Sequence, residues 1–153
     1  MQLEELLDPE RVACSVHSAS KKRALEELSH LIVQGDPSLG QTEIFECLVA
    51  RERLGSTGLG KGVAIPHGRL KSGNKAIAAF LQLDQGVDFD APDGQPVDLM
   101  CALLVPPEST EEHLEILAKL SEMFREPAIR EELRTAQKTE DVYKILDRFF
   151  SKH

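Results

Sequence analysis

GSTGLGKGVAIPHGRL, residues 55–70, is the stretch on which the reading of this chain turns. It begins like a phosphate-binding loop: Gly55, four residues, then Gly60 and Lys61. A nucleotide loop next needs Ser or Thr, whose hydroxyl holds magnesium. Gly62 stands there instead. Such a loop also follows a buried strand and opens a helix. This one follows a helical pattern ending in VARERL and leads into VAIPHG, where Pro66 and Gly68 oppose a helix. The dinucleotide fingerprint fails too, because Gly58 and Gly60 are not followed by a glycine three residues on.

What remains is a backbone rich in freedom and in donors. Gly55, Gly58, Gly60, Gly62 and Gly68 let the chain turn sharply and expose N–H groups, which together form anion-binding concavities. Ser56 and Thr57 add hydroxyls, so Ser56, Thr57, Gly58, Gly60 and Gly68 are the candidate phosphate-binding residues. A plain surface loop would have a similar composition. His67 separates the two readings, because it is held between Pro66 and Gly68 at the end of a strand-like run. With an unperturbed pKa of about 6.5, an imidazole is mostly neutral near pH 7 and therefore nucleophilic. Phosphoryl transfer needs mainly positioning and charge stabilisation. Arg51 or Arg53, just upstream, would supply a guanidinium that binds two phosphate oxygens at once.

The flanking sequence alternates helix and strand signals. VACSV (12–16) is a short β-branched strand. Ser20 caps a helix running to about Gln34, with Leu25, Leu28, Leu31 and Ile32 on one face. After GDPSLG, Ser38 and Gln41 have capping-box spacing for a helix over about 39–54. VAIP is a short strand, AIAAFLQL (76–83) a buried one, and VDLMCALLV (97–105) another, apolar enough to be covered on both faces. DAPDGQP turns between the last two. Ser109 and Glu112 open a helix that places Leu114, Leu117, Leu120, Met123 and Phe124 on one face. Pro127 starts a further short helix. A last helix, about 139–150, carries Val142, Ile145, Leu146 and Phe149. The expected fold is α/β: a single domain, residues 1–153, with a mixed sheet flanked by helices on both faces in three layers.

Bulk properties narrow the function. Hydrophobic content is 41% and charged content 29%, which is globular rather than disordered. The net charge of −8 disfavours nucleic-acid backbones and anionic membranes, both of which demand clustered Lys and Arg. MQLEELLDPE is no signal peptide, and no apolar run is long enough to span a bilayer. Cys14, Cys47 and Cys101 are far apart and odd in number, which reads as reduced, mostly buried thiols in the cytoplasm.

From Glu52 through LGSTGLGKGVAIPHG the chain resembles the active-site signature of the mannitol/fructose-type enzyme IIA proteins of the bacterial phosphotransferase system. The resemblance continues through QLDQGVDFDAPDGQPVDLMCALLVP to HLEILAKL, and so spans most of the chain. Arg51 with Glu52, the STG of 56–58 and VDFDAPDGQPVDL are most similar to the nitrogen-regulatory branch. The resemblance implies that His67 accepts a phosphoryl group from a histidine-phosphocarrier protein. It implies that Arg51 holds the phosphate and that His113 orients His67 or bonds the phosphate. Its partners would be that phosphorylated donor and, downstream, regulated transporters or sensor kinases. Lys61 departs from the small or polar residue more often found there.

Other readings stay beside this one. A sugar-specific enzyme IIA would pass the phosphate to an enzyme IIB for transport. A pure anion-binding module would need no covalent chemistry. A zinc site on His67 and His113 lacks a third ligand placed by sequence, so neither metal nor cofactor is expected on this chain. His17, His30 and His153 are isolated or terminal.

Overall fold

The computed structural model describes residues 3–108 and 110–152. Its order is α1 (Leu3–Leu6), β1 (Val12–Val16), α2 (Lys21–Gly35), α3 (Gln41–Leu54), β2 (Gly58–Gly60), β3 (Val63–Ala64) and β4 (His67–Arg69), followed by β5 (Ile77–Val87), β6 (Val97–Val105), α4 (Thr110–Arg125), α5 (Pro127–Thr135) and α6 (Thr139–Lys152). The sheet runs β1-β5-β6-β3-β2, with β4 also on β6. β1 is parallel to β5, β5 antiparallel to β6, and β3 and β4 both parallel to β6. The sheet is mixed, as expected.

The long apolar strands serve two cores. On β5 and β6, Ala78, Phe80, Leu99, Cys101 and Leu103 pack with α1, α4, α5 and α6. Their alternate neighbours Ala79, Leu81, Met100, Ala102 and Leu104 pack with α2 and α3. Period-two alternation of apolar side chains on both faces produces the uninterrupted run in the sequence. Strand β5 runs past the expected residue 83 to Val87, with a register irregularity between Gln82 and Val87.

Helix ends follow side-chain donors and acceptors. Ser20 Oγ accepts the Arg23 N–H at 3.2 Å and starts α2. Ser38 does not cap α3: its hydroxyl donates to Asp36 Oδ1 at 2.5 Å, and Gly40 takes the N-cap without a side-chain bond. Pro127 opens α5 as expected. Ser109 lies outside the described residues. The apolar face of α4 is centred differently from the expectation. Leu114 is 64% exposed, whereas His113, Ile116, Leu120, Met123 and Phe124 are buried. A stripe at 113, 116, 120, 123 and 124 has helical spacing, so the histidine takes the inward position that the leucine was expected to hold.

The thiols are less buried than composition suggested. Cys101 is buried, while Cys14 and Cys47 are part-exposed.

Candidate active site

Two short strands build the position of His67. β3 and β4 lie end to end along β6, Val63 opposite Leu99 and His67 opposite Leu103. Pro66 interrupts them because it has no N–H for the ladder, yet its carbonyl still accepts the Leu103 N–H at 2.9 Å. His67 and Arg69 therefore emerge two residues apart on one side of the resumed strand. α3 packs against this strand so closely that a Cβ on Gly68 would come 2.7 Å from Cys47 Sγ. That contact accounts for glycine after the histidine.

His67, Arg51, Gly68 and His113 share a pocket of about 690 Å³, together with Cys47, Arg69 and Lys71. Strand β4, the last turns of α3 and the first turn of α4 thus meet at one depression. Arg53, two residues on and so on the opposite side of the helix, faces a different groove beside Lys21 and Leu25. Of the two candidate arginines, Arg51 is the one that lines the His67 pocket. One Arg51 Nη donates to the Gly55 carbonyl at 2.8 Å, which fixes the stem of the guanidinium at the end of α3.

The ring of His67 has a defined tautomer. Its Nδ1 lies 2.8 Å from the Ile65 carbonyl oxygen. A carbonyl only accepts, so Nδ1 carries the hydrogen and Nε2 keeps its lone pair. Burial pushes the His67 pKa down, and the Arg51 charge adds to this. The Ile65 carbonyl and Glu52 act in the opposite sense. His113 meets His67 edge to face, with ring centroids 5.5 Å apart and planes at 84°. Its pKa is also lowered, first by burial and then by His67 and Arg69. Both rings are neutral near pH 7 by this account. The His113 Nδ1 is buried with no hydrogen-bond partner among the described residues.

The glycine-rich loop is placed differently from the sequence expectation. Ser56, Thr57, Gly58 and Gly60 do not line the His67 pocket. Their donors are already bound within the protein. Ser56 Oγ donates to the Phe89 carbonyl at 2.7 Å and accepts the Gly58 N–H. Thr57 gives both its N–H and its hydroxyl to Glu52. Lys61 N–H goes to Asp93, and the Lys61 carbonyl accepts from Arg134 in a second depression. Of the five proposed phosphate binders, only Gly68 reaches the pocket.

Arg69 and Cys47 were not singled out from sequence. Arg69 could have been found, because PHGR places it two residues beyond His67 on a strand. Cys47 had no such signal, since its place depends on how α3 docks. Among the described residues no three His, Cys, Asp or Glu side chains gather as metal ligands. The pocket sets Arg51, Arg69 and Lys71 around a neutral imidazole, with Glu43 and Glu46 of α3 also in its lining, and paired guanidinium groups beside a free Nε2 are suited to holding a dianionic phosphoryl group and joining it to that nitrogen.

Comparison with known proteins gives the family and the fold. Residues 5–149 match the family model described as "Phosphoenolpyruvate-dependent sugar phosphotransferase system, EIIA 2". The chain is 48% identical over 146 residues to the nitrogen regulatory protein of Pseudomonas aeruginosa, covering 95% of each. Its fold is similar to the crystal structure of nitrogen regulatory protein IIA-Ntr from Neisseria meningitidis: TM-score 0.89, 47% identity, covering 94% of this chain and 98% of that one. The mannitol IIA of Escherichia coli shares the fold at a TM-score of 0.78 and 22% identity, over 92% of this chain and 98% of that one. No helix among the described residues is long and apolar enough to cross a membrane. A mixed sheet with helices on both faces, a histidine–arginine pocket at the end of a broken strand, and a family match over nearly the whole length lead to one assignment: the chain belongs to the EIIA 2 family of the phosphoenolpyruvate-dependent sugar phosphotransferase system.

Proposed function

We propose that His67 accepts a phosphoryl group at Nε2 from a phosphorylated histidine-phosphocarrier protein, and that the chain works in the cytoplasm as a nitrogen-type regulatory enzyme IIA. The observation that carries this is the Nδ1–H bond to the Ile65 carbonyl, which leaves the Nε2 lone pair on a ring lining the same pocket as Arg51 and Arg69. The Nε2–phosphorus bond forms as the donor's nitrogen–phosphorus bond breaks, and that bonding pair returns to the donor ring. The proton stays on Nδ1, hydrogen-bonded to the Ile65 carbonyl, so the attack requires no separate base. Arg51 holds the phosphoryl oxygens, with Arg69 beside it. His113 packs on the ring edge and keeps it oriented.

Relatives named for nitrogen regulation, similar over almost the whole chain, support the regulatory branch above a sugar-specific carrier that feeds an enzyme IIB. In that branch the product is a change of surface. A phosphohistidine adds negative charge to the pocket and alters which transporters or sensor kinases dock there. Intact-mass measurement at neutral to basic pH tests the chemistry, with phosphoenolpyruvate, the upstream kinase and a histidine-phosphocarrier present. The expected result is one acid-labile phosphate on the wild type and none on His67→Ala. Acid-labile phosphate retained on the mutant would overturn the assignment.

A further inference from the structure

Glu52 occupies the last turn of α3, next to Arg51, but it turns away from the His67 pocket and into the protein. It is 8% exposed. A buried carboxylate is costly unless donors surround it. Three do: the Thr57 N–H at 3.0 Å, the Thr57 hydroxyl at 2.5 Å and Lys21 Nζ at 2.9 Å. These bonds fix Thr57. The Thr57 carbonyl in turn accepts the Ile65 N–H at 3.1 Å, beside the β2–β3 pairing of Gly58 with Ala64. The Ile65 carbonyl then accepts Nδ1–H of His67 at 2.8 Å. Ile65 is buried and precedes a proline, which restricts its backbone, so its N–H and carbonyl shift together.

We propose that Glu52, itself held by Lys21, is a positioning residue for His67, acting through Thr57 and Ile65 to set the ring's tautomer and aim. The proposal rests on the reading of His67 as phosphoryl acceptor. Neither Glu52 nor Thr57 lines the pocket, so neither touches the phosphate. Besides the through-space effect of the Glu52 charge on His67, which bears on the ring's pKa and not on its tautomer, their influence reaches the ring along this run of hydrogen bonds. The competing account is that Glu52 merely staples the loop after α3. A staple affects stability. A positioning residue also affects the ring.

The test uses the full chain with Glu52→Gln, Thr57→Val and Thr57→Ser, and with Arg53→Ala as a control facing the other groove. Ring nitrogen chemical shifts of unphosphorylated His67 report its tautomer at neutral pH. Intact mass against time reports phosphoryl uptake from the phosphocarrier. Thermal midpoints report stability. Glu52→Gln and Thr57→Val are expected to mix the Nε2–H tautomer into the His67 signal and to slow uptake about tenfold, the usual scale for losing a supporting contact behind a reactive group. Thr57→Ser, which keeps the hydroxyl, is expected to restore both. Wild-type tautomer and rate in Glu52→Gln and Thr57→Val, with lowered midpoints only, would overturn the proposal. If Glu52→Gln does not fold, Thr57→Val decides alone, because it leaves the Lys21–Glu52 pair intact. A wild type that takes up no phosphate would overturn the carrier reading, and the tautomer measurement then decides the positioning claim by itself.

Discussion

Adding one methyl group at Gly68 should disturb both the stability and the chemistry of this protein. A Cβ there would lie 2.7 Å from Cys47 Sγ, while the next atoms, the Cys47 carbonyl oxygen and carbon, stand at 3.5 and 3.8 Å. Ordinary non-bonded contact begins near 3.5 Å, so one sulfur atom accounts for the whole clash. Gly68 has no positive φ, which leaves no backbone strain to add. Overpacking of this kind costs about 1–3 kcal/mol. Taking about 2 kcal/mol, and about 2–4 °C per kcal/mol for a chain of this size, Gly68→Ala should lower the thermal midpoint by about 4–8 °C. Cys47→Ala removes the obstructing sulfur but also loses the bond from Sγ to the Arg69 carbonyl at 3.1 Å, a loss of about 1 kcal/mol. The double variant should therefore cost about 1 kcal/mol rather than the additive 3, a coupling of about 2 kcal/mol. Denaturant melts of the four proteins measure it. The same strand carries His67, so Gly68→Ala should also slow phosphoryl uptake, and Cys47→Ala should restore it. Additive stabilities within about 0.5 kcal/mol would show that the sulfur is not the obstacle and that β4 is not seated on α3 as described.

The pocket and its surroundings carry further expectations. Arg51→Ala should slow phosphoryl uptake by about two orders of magnitude, the scale of losing one charge-stabilising donor. Arg53→Ala should stay close to wild type, since Arg53 is exposed and faces another groove. Equal effects in the two rate measurements would reverse the choice of arginine. His67 and His113 both have folded pKa values below the ordinary 6.5. The unfolded chain therefore binds protons first, and the part of the stability that depends on these neutral rings is intact above about pH 6.5 and lost as pH falls below it. Chemical melts between pH 7.5 and 5 should show a steeper loss for wild type than for His67→Ala or His113→Ala, and parallel slopes would refute it.

Local sequence carries the strands and the nucleophile, because both depend on neighbours along the chain. VDLMCALLV is apolar without a break, and that alone requires cover on both faces of its strand. Pro66 and Gly68 flank His67, and each has a reason visible at close range: one breaks the ladder, the other makes room for α3. Arg69 follows from period two. The misplaced readings share a different physical origin. Each concerns which acceptor a donor finds, or which of two similar stripes a helix buries, and that choice is made by the folded arrangement rather than by the donor's residue type. Ser56 and Thr57 read as phosphate donors until Phe89 and Glu52 take their hydrogens. Gln82 is a buried polar residue in an apolar strand, and its partners too are distant: its amide donates to the Leu133 and Ala136 carbonyls at the end of α5, and its oxygen accepts the Ser15 N–H of β1. Leu114 reads as core until α4 docks with His113 inward. The same logic explains why the glycine-rich loop matters without touching phosphate. Its donors go to Phe89, Glu52 and Asp93, and the cationic groups of the pocket are instead Arg51, Arg69 and Lys71, with Glu43 and Glu46 beside them. In the mechanism we propose, the loop's contribution to the chemistry runs through the Ile65 carbonyl, whose bond to Nδ1 leaves Nε2 of His67 free.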